Sequence, residues 1–207
     1  MALHSFVQFR WMAVAGQAVT TWLAYAVLAI HLPYVALISV ISFTAATNLV
    51  CALNDRWIRE HAQGLFPVIL LMDTVLITIL LNLSGGPANP FCLLYVVHVA
   101  VAAVSLDEHW VWCMVGLSAL CFGFLFPWHV AVQVPAHIGG EKLIWLGAWI
   151  AVGLVSVVIA YFIIRMTKAL KARDEQLFQG KTAALRNERL ASLTTLAAGA
   201  AHELGTP

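Results

Sequence analysis

Charge is what this chain has least of. Lys and Arg number 11 and Asp and Glu 10 in 207 residues, so 10% of positions are charged against 62% hydrophobic. No soluble domain of this size needs that much apolar surface. With a mean hydropathy of +0.89, the bilayer must be the solvent. Cysteine is scarce too. The four present, Cys51, Cys92, Cys113 and Cys121, all lie in apolar runs, and none forms a metal-type C-x-x-C. No metal site is expected, and the four read as buried small hydrophobes. A cleavable signal peptide is also not expected, because the first apolar run is long and lacks a small-residue cleavage site. The first helix should stay as an anchor. Finally, no proline occurs between Ala136 and Thr206, so nothing there forbids one continuous helix.

Six apolar runs are long enough, or nearly so, to span ~30 Å of hydrocarbon. They are Trp11–Ile30, Tyr34–Leu53, Leu65–Leu83, Pro90 to near Leu106, Trp110–Phe126, and Leu143–Ile164. Between them lie His31-Leu32-Pro33, a charged cluster at 54–61, Ser84-Gly85-Gly86, Asp107-Glu108-His109, and a loop with Pro127, Pro135 and Gly139-Gly140. Trp and Tyr collect at several run ends, where amphipathic rings prefer to sit. The expected fold class is all-α: a polytopic membrane protein of six transmembrane helices continuing into a cytoplasmic helix. Domains are expected at 1–164, in the membrane, and 165–207, a charged arm.

Net charge, at +1, says little about partners, but its distribution says more. Only Arg10, Arg56, Arg59 and Lys142 precede Arg165, and the other seven cations crowd into 165–207. Placing both termini inside puts Arg10, Arg56, Arg59 and the basic arm in the cytoplasm, with Lys142 alone outside, as the positive-inside rule requires. The chain is thus expected as a multi-pass protein with both termini on the cytoplasmic side of its membrane.

The arm is helical in pattern, roughly 65 Å long at ~1.5 Å per residue. Leu170, Leu177 and Ala184 recur at sevens. Leu193, Leu196 and Ala200 then follow a three-four spacing in another register, which reads as a dimeric coiled coil with a stutter. It ends in Ala201-His202-Glu203-Leu204-Gly205-Thr206-Pro207. An imidazole followed at once by a carboxylate suits a phosphoryl acceptor, since the acid can take the ring proton as the other nitrogen attacks. Pro207 should bend the helix just beyond. The string Ala-x-x-x-Ala-His-Glu-Leu-x-Thr-Pro resembles the phosphoacceptor box of sensor histidine kinases. His-Glu-Leu-Gly-Thr-Pro is similar to the narrower RegB/PrrB type, with Gly205 where most of the family has Arg.

Between the third and fourth runs stands Gly85-Gly86-Pro87-Ala88-Asn89-Pro90-Phe91. As a turn it explains itself: the glycines end one helix in left-handed backbone, Asn89 caps the next and Pro90 suits its first turn. Gly-Gly-x-x-Asn-Pro-Phe also resembles a signature segment of the RegB/PrrB membrane domain, which implies a bound ubiquinone or other membrane quinone. The residues fit a ring with two carbonyl acceptors. Asn89 offers an amide, the helix that Pro90 starts offers free N–H groups, Phe91 a face for stacking, and Gly85 and Gly86 close backbone approach. Asp73 and His98, ionisable groups in mid-run, join these candidate contacts, as a pair across the third and fourth helices. The competing reading is a neutral Asp73 bonded to Thr74, Thr78 or Asn48. The remaining His lie at run ends and read as interfacial.

The resemblance implies a sensor histidine kinase of a two-component system that reads redox state through membrane quinone, with oxidised quinone lowering activity. His202 would be the phosphoacceptor, Glu203 the general base, and Thr206 a residue positioning water in the phosphatase reaction. It further implies a homodimer, an ATP-binding domain beyond residue 207, a redox-active Cys there, and a response-regulator receiver domain as partner. These residues alone would be inactive as an enzyme, and no direct nucleic-acid contact is expected. Two alternatives stand beside this: a membrane sensor kinase with a non-quinone stimulus, and a haem or quinone membrane oxidoreductase subunit. The second leaves the His202 string unexplained.

Overall fold

A computed structural model describes residues 3–54, 62–132 and 140–204, with most side chains up to residue 187. It is all-helical, 87% helix, with no strand among the described residues. In order come α1 (Leu3–Ala26), α2 (Tyr34–Leu53), α3 (Ala62–Leu83), single 3-10 turns at Gly86–Ala88 and Pro90–Leu93, α4 (Leu94–Ser105), α5 (Glu108–Phe124) and α6 (Gly140–Leu204).

Local chemistry explains the boundaries. Pro33 precedes α2, and its carbonyl takes the Leu37 N–H at 3.1 Å. Asn54 closes the same helix, sending its backbone N–H and its side-chain amide to the Val50 carbonyl at 3.1 and 3.0 Å. Within the apolar helices the hydroxyls of Thr44, Thr74 and Thr78 turn back onto carbonyls four residues earlier, at 3.0, 3.0 and 2.7 Å. Hydroxyls held this way need no water, which is what a hydrocarbon surrounding demands.

The six expected runs correspond to α1–α6, and among the described residues three of these helices are long and apolar enough to cross a membrane by length and composition. They are α2, the Gly64–Leu83 part of α3, and the Ile144–Asn187 part of α6. The other three differ for identifiable reasons. The first helix begins at Leu3 rather than near Trp11, so it takes in Gln8 and Arg10 and stops at Ala26. The fourth spends Pro90–Leu93 in a 3-10 turn, which leaves α4 with 12 residues. The fifth, α5, has 17.

By compactness the chain divides into Met1–Phe162 and Ile163–Pro207. In the first unit the main core gathers Phe6 of α1, Phe66 and Leu70 of α3, Val97, Val101 and Ala102 of α4, Met114 of α5 and Phe162 of α6. A second cluster, Ile77, Leu81, Tyr95 and Leu125, sits under the α3–α4 turn and has Phe91 and Cys92 packed against it. Apolar side chains cover the outside as well, among them Val35, Leu53, Leu120 and Trp149. A surface of that kind is normal only against lipid or a partner. The cysteines depart from expectation at one place. Cys51 is buried and Cys92 and Cys121 are half-buried, but Cys113 is exposed, because it falls on the outer face of α5.

In the second unit, residues 166–187 are helical, with Leu170 and Leu177 about half exposed.

Candidate functional site

The candidate residues fall in three constellations. The first is the acceptor string. Helix α6 runs through His202 and Glu203 to Leu204, while Gly205, Thr206 and Pro207 lie outside the described residues, as do Arg56 and Arg59.

The second is the α3–α4 turn. Gly85 and Gly86 take positive φ, 112° and 59°, conformations that side chains with a Cβ resist. Gly86 is needed for space as well as for backbone, since a Cβ there would run into the ring of His129. Asn89 pins the turn on both sides. Its side-chain carbonyl accepts the Phe91 N–H at 2.9 Å, and its amide donates to the Ser84 carbonyl and the Ser84 hydroxyl, both at 2.8 Å. Both amide hydrogens are thereby used inside the loop. The Cys92 thiol donates to the Gly86 carbonyl at 3.4 Å. The segment after α5 is tied in as well: Val130 donates its N–H to the Asn82 carbonyl at 2.9 Å, and the Asn82 amide donates to the Trp128 carbonyl. Phe91 lies half-buried against Ile77, Leu81, Tyr95 and Leu125. Pro90 meets α6 at Gly147.

The third constellation is only half legible in the sequence. Asp73 is paired with Arg10 of α1, 63 residues away, through a two-pronged contact of Nε to Oδ2 at 2.9 Å and Nη2 to Oδ1 at 2.7 Å. Arg10 also donates to Thr47 Oγ1 at 2.9 Å and weakly to Cys51 Sγ at 3.9 Å. Its guanidinium stands 5.9 Å from the Phe6 ring centre, within cation–π range. Arg10, counted from the sequence among the cytoplasmic cations, has a side chain that is 2% exposed and paired inside the bundle. Asp73 is not bonded to Thr74, Thr78 or Asn48. Thr78 instead shares a hydrogen bond with the Tyr95 hydroxyl at 2.8 Å, and Asn48 reaches the Val7 carbonyl at 3.1 Å. His98 bonds through Nδ1 to the Leu94 carbonyl at 3.0 Å. No described hydrogen bond joins it to Asp73. Asp73 precedes Gly85 by twelve residues, ~18 Å along a helix at ~1.5 Å per residue. One ring at the turn cannot touch both.

Sequence reasoning missed Arg10 as the partner and Gly147 as the seat for Pro90. An intramembrane acid demands a cation somewhere, and that demand was the signal for Arg10. Nothing in the sequence marks Gly147.

No family model matches this chain, and no solved structure matches it. Among curated proteins, Sensor histidine kinase RegB of Cereibacter sphaeroides is 28% identical over 214 residues, covering 99% of this chain and 45% of that protein. The chain thus spans about half the length of the relative it matches, in the N-terminal portion. Over 99% of its length, then, this chain is similar to the sensor histidine kinase RegB, and that likeness supports a RegB-type sensor kinase.

Proposed function

We propose that this chain is the membrane sensor and phosphoacceptor portion of a histidine kinase, and that its stimulus is the redox state of membrane quinone. The observation that carries the reading is the RegB likeness over 99% of the chain, which includes His202 and Glu203 on one helix. The N–H-bearing ring of His202 would take the γ-phosphoryl group of ATP while Glu203 accepts the proton, and a receiver domain would then remove the phosphoryl group. Thr206 would hold the hydrolytic water of the reverse reaction. Six membrane crossings with both termini in the cytoplasm follow from the six apolar runs and the basic arm, and α2 with parts of α3 and α6 are long and apolar enough for three of them. Leu170 and Leu177, and likewise Phe178 and Leu185, are exposed and spaced by seven. That is how a homodimeric helical pair would be built.

For quinone, the half-buried face of Phe91 and the glycine backbone are the ring contacts, and Asn89 acts by holding the turn rather than by offering a donor. The isoprenoid tail would lie among the apolar helices. A stimulus other than quinone is favoured by one observation: both amide hydrogens of Asn89 are already committed to Ser84.

In the full-length kinase, ATP should label His202 with acid-labile phosphate, His202→Gln should remove all of it, and oxidised quinone should lower it. Labelling that survives His202→Gln ends the phosphoacceptor assignment. An unchanged level with quinone ends the quinone reading and leaves the kinase reading intact.

Orientation is tested separately. A Cys placed at Ala136, in the segment outside the described residues, should react with an impermeant thiol reagent from outside the cell, and one at Ala172 should not. The reverse pattern overturns the topology.

A further inference from the structure

Glycine contacts single out one place where the α3–α4 turn grips another helix. A Cβ added at Gly16, Gly64, Gly116, Gly123, Gly153 or Gly180 would meet nothing within 4 Å. At Gly147 of α6 it would stand 2.9 Å from Pro90 Cγ, 3.6 Å from Pro90 Cβ and 3.7 Å from Pro90 Cδ. The pyrrolidine ring therefore occupies a notch that α6 has only because residue 147 lacks a side chain. Neither partner has a rotamer to yield: Pro carries a closed ring and Gly nothing. A displacement of one must be taken up by the backbone of the other.

Pro90 is in turn held from its own side. Asn89 bonds Ser84 and Phe91 on either side of it. Gly86 sits against His129, and a Cβ at Gly85 would come within 3.1 Å of Val132 Cγ2. The turn is thus stiff within itself and touches the segment leading into α6 as well as α6.

We propose that the Pro90–Gly147 contact is the link through which the α3–α4 turn sets the position of α6, making Pro90 and Gly147 positioning residues of the sensor. Its output at His202 rests on the sensor-kinase reading, but the link does not depend on quinone being the stimulus. A ligand at the turn acts only if it prefers one arrangement of Pro90 against α6, since equal affinity for both shifts nothing.

The geometry permits a direct lock. The 3.6 Å from Pro90 Cβ to the Cβ position on Gly147 falls within the ~3.5–4.5 Å spacing of a disulfide. In the full-length kinase with Cys51, Cys92, Cys113 and Cys121 replaced by Ala, Pro90→Cys and Gly147→Cys should join within one chain on copper–phenanthroline oxidation. The lock should change His202 phosphorylation ~5-fold or more and abolish its response to stimulus, and reductant should restore both. In the 207-residue chain alone the lock should slow amide hydrogen exchange in the following turns of α6, a readout that needs no kinase activity. Gly147→Ala should blunt the response, whereas Gly153→Ala, in open space on the same helix, should respond as the parent does. Failure to form the disulfide refutes the contact. A disulfide that alters neither phosphorylation nor exchange refutes the link. A parent that ignores quinone refutes the quinone reading only, because the lock still reports.

Discussion

Replacing either Arg10 or Asp73 by alanine should destabilise the membrane unit by about 3–5 kcal/mol, the cost of stranding one charge in a buried site. The pair qualifies because its side chains are 2% and 12% exposed, and because the two-pronged geometry leaves little slack. Arg10 loses more than a charge partner when Asp73 goes. Thr47 and Cys51 supply only neutral acceptors, too weak to replace a carboxylate. Replacing both residues by apolar ones of similar volume, Arg10→Met with Asp73→Leu, removes the buried charges together. That double variant should be more stable than either alanine variant and should approach the parent. SDS titration in mixed micelles gives the ranking. If the single variants unfold at the parent's midpoint, the pair is solvated and does not hold α1 to α3.

Gly86→Ala should cost about 2–5 kcal/mol, combining ~1–2 kcal/mol for left-handed backbone with ~1–3 kcal/mol for pushing a methyl into His129. The backbone at this position has φ of 59°, and His129 is held by its own Nδ1 bond to the Leu125 carbonyl at 3.0 Å, so it cannot swing away freely. Gly123→Ala in α5 is the matched control. Nothing stands within 4 Å of its added Cβ, and alanine there should stabilise by ~0.5–1 kcal/mol. Asn89→Ala falls between them. It loses three hydrogen bonds, each worth ~0.5–1.5 kcal/mol net, and it should loosen the turn without unfolding the bundle. The same titration ranks all three, and a Gly86→Ala protein as stable as Gly123→Ala would mean that the turn is not packed as described.

The residues in these two expectations differ in how far the sequence exposed them. Gly85 and Gly86 were legible as left-handed helix-ending positions, because the need for positive φ is local. His129 as the neighbour of Gly86 was not, since 43 residues separate them and no pattern links the two. Asn89 was legible as a cap, and the structure adds that the cap consumes its whole amide. That matters to function: a residue read as a donor to a ligand carbonyl is also the pin that gives the turn its shape.

The linear chain by itself determined what depends on composition and short spacing. Six apolar runs meant helices in lipid, because a backbone without water must bond to itself. The seven-residue repeat and the His202-Glu203 string marked the arm, because both lie within a few helical turns. Run length was a looser guide to the length of each helix. Counting apolar residues ignores where the first helix begins and how many residues a 3-10 turn takes from the fourth, and α4 keeps only 12. Tertiary structure alone decided which partner each buried polar group obtained. An intramembrane Asp needs a positive or donating neighbour wherever one can be reached, and His98 and Arg10 were both available in sequence. Packing of α1 against α2 and α3 gave Asp73 to Arg10, and it made a cation that sequence reading counts toward orientation into part of the core. The same holds for Pro90 and Gly147: a missing side chain carries no signal until another element fills its place.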